Sequence, residues 1–185
     1  MAIKTFTTGE VLTAADTNTY LANSGLVYIT SGTLSGTAID GIFTTTYDNY
    51  RIVFTNISTS TGALINFNFR TTANATETGN NYYSAFRRYD QNTNYDFSQG
   101  ANTYGSCGIN ISTAAYGAFA MEVQQPRATQ LTTVSIVGNG VISQISTVQG
   151  SVFYNATTAF AGLIFSPSAG SISTGSYTVY GYRKA

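Results

Sequence analysis

From residue 26 onward the chain is a succession of short apolar runs with a period of two, and that pattern points to sheet before anything else does. In "ALINFNFR" (63–70), Ile65, Phe67 and Phe69 alternate with Leu64, Asn66 and Asn68, as in a strand with one buried and one polar face. In "YRIVFTNI" (50–57), Ile52, Phe54 and Asn56 fall on one face, Val53 and Thr55 on the other. "LVYIT" (26–30) and "TLSGTAIDGIF" (33–43) precede these runs. "NNYYSAFRRYD" (80–90), "SCGINIS" (106–112), "AFAMEVQQ" (118–125) and "LTTVSIVG" (131–138) follow. The chain closes with "VISQIS" (141–146), "SVFYN" (151–155), "AFAGLIFS" (159–166) and "SYTVYGYR" (176–183). "GNG" at 138–140 predicts a hairpin, because Asn139 and Gly140 tolerate the positive φ of a two-residue turn. Pro126 and Pro167 stand at the ends of apolar runs, where a missing N–H costs no ladder bond. Roughly eight to ten strands at this spacing predict an all-β fold, an antiparallel β-sandwich with jelly-roll-like topology.

Composition limits the function. Charged residues are 9% of the 185-residue chain, and eight acids balance eight bases, so no net field draws it to nucleic acid or an anionic membrane. Low charge with abundant Thr, Ser and Asn is also a mark of disorder, but 43% hydrophobic and 14% aromatic content in periodic runs gives the chain a core. The length suits one domain with an appendage. No run approaches a membrane span, and "MAIKTFTTGEV" lacks the apolar segment of a signal peptide, so synthesis in a cytoplasm is expected. Asn-x-Ser/Thr triplets at Asn56, Asn74, Asn110 and Asn155 arise by chance in such a composition.

Histidine is absent, which removes the commonest general base and metal ligand, and no ligand cluster or phosphate loop takes its place. No cofactor or metal is expected. The single cysteine, Cys107, excludes an intrachain disulfide and reads as a buried, inert thiol in a strand. Asp90, Asp96 and Glu77 are the only clustered acids, and the expectation is that the chain is not an enzyme.

Two stretches stand out along the chain, one helical in pattern and one dense in polar and aromatic residues. The first, "GEVLTAADTNTYLANSG" (9–25), predicts one short helix. Thr13 is suited to cap its N-terminus, Asp16 places negative charge there, and Gly25 ends it. About ten residues are too few for a stable isolated helix, and Leu12, Ala15, Leu21 and Ala22 form only a thin apolar stripe. The helix must dock, either on its own sandwich or on sister subunits and a larger assembly. The second stretch, residues 80–105, gathers Arg87, Arg88, Tyr89, Asp90, Tyr95 and Asp96. Aromatic faces with Asn, Asp and Arg suit glycan recognition, and the same residues suit ion pairing and packing at an interface.

The opening pattern carries a resemblance. Phe6, Thr7, Gly9, Glu10, Val11, Leu12, Thr13 and Ala14, followed by Asp16, Asn18, Tyr20 and Leu21, resemble the start of small virion structural proteins of tailed bacteriophages, of the decoration, head-fibre or short tail-fibre type. "GIFTTTYDNYRIVF" (41–54) and "GSYTVYGYRKA" (175–185) are weaker echoes. The resemblance implies an N-terminal attachment arm with a short helix (1–30) carrying a β-sandwich domain (31–185) in a homotrimer. Phe6, Val11, Leu12, Ala15, Tyr20 and Leu21 are then the residues expected to attach and oligomerise it. Decoration or cementing of the capsid exterior, against the major capsid protein, is the expected role, since the chain has no shaft to project a tip. The alternative is a short tail fibre, joined to a tail protein, that recognises a host glycan through residues 80–105. Either places the protein in the virion.

Overall fold

The computed structural model describes residues 7–11, 13–16, 25–35, 38–113, 116–141 and 145–183. Ala14–Asp16 (α1) is helical directly after Thr13, and Gly25 has a φ of 107°, a conformation open to glycine. Residues 17–24 of the expected helix, with Tyr20 and Leu21, lie outside the described residues, as do Leu12 and, in the lead before the helix, Phe6. Val11 and Ala15 are exposed, as are the other described residues from 7 to 14.

Eleven strands follow among the described residues: β1 (Leu26–Thr33), β2 (Asn49–Thr59), β3 (Ala63–Thr71), β4 (Tyr82–Asp90), β5 (Asn94–Asn102), β6 (Gly105–Ile111), β7 (Gly117–Gln124), β8 (Thr132–Val141), β9 (Ile145–Tyr154), β10 (Phe160–Pro167) and β11 (Ile172–Tyr182). They form two sheets, ordered β1-β11-β2-β7-β8-β9-β4-β5 and β10-β3-β6, and every strand pair is antiparallel. The protein is therefore an all-β, two-sheet sandwich. β1 begins at Leu26, inside the stretch assigned to the arm, and pairs with β11 at the edge of the large sheet.

The alternation explains the core. Ile65, Phe67 and Phe69 of β3 are fully buried and meet Ile52 and Phe54 of β2 in one apolar cluster between the sheets. Phe54 packs edge-on to Phe165 of β10 at 4.7 Å and stacks on Phe119 of β7 at 4.5 Å. A second aromatic group, Phe69, Tyr82, Tyr154 and Phe160, fills the space beneath β4 and β9. Tyr82 is buried there because its hydroxyl works as a cap: it accepts the Phe69 N–H at 2.9 Å and donates to the Glu77 carbonyl at 3.2 Å. Cys107 of β6 is buried, and burial raises its thiol pKa.

Several local expectations are corrected. The described residues of 34–43 do not form a strand; 38–43 run irregularly along β10, joined by a bridge between Ile39 and Leu163 and by the Phe43 N–H to Ala161 carbonyl bond at 3.0 Å. Leu34, Ile39, Ile42 and Phe43 are apolar because this segment seals the free edge of β10, and Arg70 clamps it through Asp40 at 2.9 and 3.2 Å. Asn56 does not share the buried face of Ile52 and Phe54: it is exposed at a φ of 54°, in a bulge that turns Ile57 inward. The hairpin of "GNG" exists, but those residues are not its turn. Gly138, Asn139 and Gly140 are paired strand residues, opposite Val148, Thr147 and Ser146, and the chain reverses between Val141 and Ile145. These glycines serve close packing, since a Cβ on Gly138 would strike Phe119 and one on Gly140 the Asn110 carbonyl.

Candidate functional site

β4 and β5 form a hairpin at one edge of the large sheet, closed by the Asp90 N–H to Thr93 carbonyl bond at 2.9 Å. Arg87 pairs with Asp96, Arg88 with Tyr95 and Phe86 with Phe97, and opposed residues share a face. The hairpin therefore sorts the six residues of interest into two groups of different chemistry.

Arg87, Tyr89 and Asp96 lie on the outer group. Arg87 binds Asp96 through two parallel bonds of 2.7 and 2.9 Å and lies 5.9 Å from the Tyr89 ring centre. Those bonds hold the Asp96 carboxyl below its ordinary pKa. Both partners are largely exposed, so this pair fixes the hairpin's register more than its stability.

Arg88, Asp90 and Tyr95 lie on the inner group. The Arg88 guanidinium is 3.0 Å from Asp90 and 4.6 Å from the Tyr95 ring centre, so one cation neutralises a carboxylate and braces an aromatic ring. Tyr95 remains 47% exposed and Phe97 beside it 43%. Arg88 Nε, Asp90 Oδ1 and Gln99 Oε1 are buried without a hydrogen-bond partner among the described residues.

Arg88 and Tyr95 of this inner group, with Asp96 from the outer one, line a cleft of about 260 Å³. Phe86, Arg88, Tyr95, Asp96 and Phe97 form one wall, while Leu64 of β3 with Ser106, Gly108 and Asn110 of β6 form the other. The cleft exists because β6 departs from regular pairing. Leu64 opposes Asn110 but Asn66 opposes Ser106, and Gly108 lies in that bulge at a φ of 68°. Gly108 also admits the Phe86 ring, which rests where its Cβ would stand. The Ser106 N–H donates to Ser84 Oγ at 3.1 Å and ties the bulge to β4.

The candidate carboxylates do not act together. Asp90 and Asp96 belong to opposite faces, and each is held by an arginine. Glu77 lies in the loop before β4, where its Oε1 accepts the Gly79 N–H at 2.6 Å. Among the described residues, no group of three or more Cys, Asp or Glu is placed to hold a metal ion, and no helix is long and apolar enough to cross a membrane. The sequence pattern had drawn attention to Arg88 and Tyr95 but not to Phe86, Phe97, Gly108 or Asn110. A glycine inside the apolar run "SCGINIS" was the available signal, since an interior strand glycine marks a bulge or a close approach.

No protein-family model matches this chain, and no curated protein or solved structure is significantly similar to it.

Proposed function

We propose that this chain is a virion structural protein of a tailed bacteriophage, a homotrimer attached by residues 1–25 to the outside of the particle, and a decoration or cement protein of the capsid. The observation that carries the reading is the pattern from Phe6 to Leu21, leading straight into a sandwich whose first strand is the outermost of its sheet. The exposed Val11 and Ala15 support it, because side chains meant for another subunit or the capsid stay uncovered in the single chain. The unequal sheets are read as a variant of the jelly-roll class, with added strands widening one layer. A surface of Thr, Ser, Asn and Tyr with little charge suits contacts that must survive changes of salt.

The test is location. Imaging of particles carrying the protein is expected to show density at three-fold or quasi-three-fold capsid positions, and density confined to the tail overturns the capsid role. Removal of residues 1–25 is expected to abolish particle binding while sedimentation and circular dichroism still report a folded sandwich. A second reading, a short tail fibre that recognises a host glycan, is favoured by one specific observation: the aromatic-walled cleft between β4–β5 and β6.

A further inference from the structure

We infer that this cleft is a binding site for a single neutral pyranose ring, held by Tyr95, Phe97, Arg88 and Asn110. The inference rests on the glycan-recognition reading and deepens it by naming the face, the residues and the class of sugar; it holds whether the protein sits on capsid or tail.

Three properties of the site select such a ligand. The first is size. At about 260 Å³ the cleft is smaller than the roughly 300 Å³ at which pockets for drug-sized ligands begin, so it takes one ring and not a run of them. The second is the pairing of apolar and polar surface. Tyr95 and Phe97, each exposed over close to half of its surface, line one wall, and rings so exposed suit the C–H faces of a pyranose. On the opposite wall the Asn110 carboxamide is both donor and acceptor, and beside the rings the Arg88 guanidinium donates. The hydroxyl groups of a sugar, each able to donate and accept, match that mixture. The third is charge. Asp90 neutralises Arg88, and Arg87 neutralises Asp96, so the site has no net charge and offers no free cation to a sugar acid.

The rigidity of the walls favours binding by a small ligand. Phe86 is locked between Gly108 and Gly150, and Arg88 braces Tyr95, so little side-chain ordering is left for the ligand to cause. The outer residue Tyr89 does not line this site.

The experiment uses the full chain and saturation-transfer NMR with the methyl pyranosides of glucose, galactose and mannose, with methyl glucuronide as the charged comparison. At least one neutral glycoside is expected to bind, and more tightly than the glucuronide. Tyr95→Ala and Phe97→Ala are each expected to weaken it at least tenfold, whereas Tyr95→Phe and the outer-face Tyr89→Ala stay within about threefold. If an alanine variant loses its fold by circular dichroism, Phe97→Leu replaces it and is expected to weaken binding while the melting curve is kept. Binding that is lost with Tyr89→Ala and kept with Tyr95→Ala overturns the site while leaving glycan recognition in place. Preference for the glucuronide overturns the neutral class. No binding by any of the four sugars overturns the inference alone if a glycan array is positive, and overturns glycan recognition as well if the array is blank.

Discussion

Gly108 shows how much one residue decides here. Its φ of 68° is strained for any residue with a side chain, and a methyl group would sit 2.7 Å from Phe86 Cγ. Gly108→Ala is expected to cost about 1–3 kcal/mol in urea unfolding and to deform the cleft, so that sugar affinity falls together with stability. An unchanged midpoint would show that β6 reaches this bulge without needing glycine. Tyr82 is a second case. β6 pairs with β3 only as far as Phe67, so beyond that point the Phe69 N–H takes the Tyr82 hydroxyl in place of a strand. Tyr82→Phe keeps the ring and removes the cap, and a loss of about 1–3 kcal/mol is expected from the unsatisfied donor. Cys107, wholly buried, should react with a thiol reagent only after denaturant unfolds the chain; rapid labelling of the native protein would contradict its placement.

At the scale of elements, the edge strands of the large sheet bury less than the strands they cover. β1 has no fully buried residue, whereas its neighbour β11 contributes Ile172 and Val179 to the core. Shortening the chain to begin at Leu26 is expected to leave the melting temperature within a few degrees. Removing β1 as well bares the eleven-residue β11 and should promote aggregation, measured by light scattering. The same contrast explains what could be read beforehand. Strands buried on one face, such as β3 with Phe67 and Phe69, carry their period openly in the sequence. β5 was not anticipated, because no residue in it is buried and Tyr95 and Phe97 alternate over too short a span among polar neighbours. Residues 34–43 misled for the opposite reason: Ile39, Ile42 and Phe43 are apolar to cover an edge, a task that needs burial but no ladder. The glycines of "GNG" misled because close packing and positive φ both select glycine, and only tertiary structure separates them. Of the cleft, Arg88 and Tyr95 were visible within one stretch, while Asn110 arrives from another strand of the other sheet.

For the whole molecule, the absence of histidine and the balance of charge set the response to solution conditions. No side chain with an ordinary pKa near neutrality is present to titrate between about pH 5 and 8, so stability should be flat there. Burial raises the pKa of the Cys107 thiol and of the Tyr82 and Tyr154 phenols. Above about pH 8.5 for the thiol and about pH 10 for the phenols, the unfolded chain loses protons that the folded chain keeps, so stability falls as pH rises. A melting temperature that climbed on the alkaline side would contradict that burial. Described ion pairs such as Arg87–Asp96 and Arg51–Glu122 are partly exposed, so raising NaCl to about 1 M should move the melting temperature by no more than a few degrees. The order of the large sheet has a further consequence. β1, which receives the proposed anchor, and β5, which bears the proposed sugar site, are its opposite ends, separated by seven strand intervals of about 4.8 Å each. The sandwich is then a rigid outrigger: it holds the sugar on the order of 30 Å, measured along the sheet, from where the chain is moored, and a trimer so moored would carry three such arms outward.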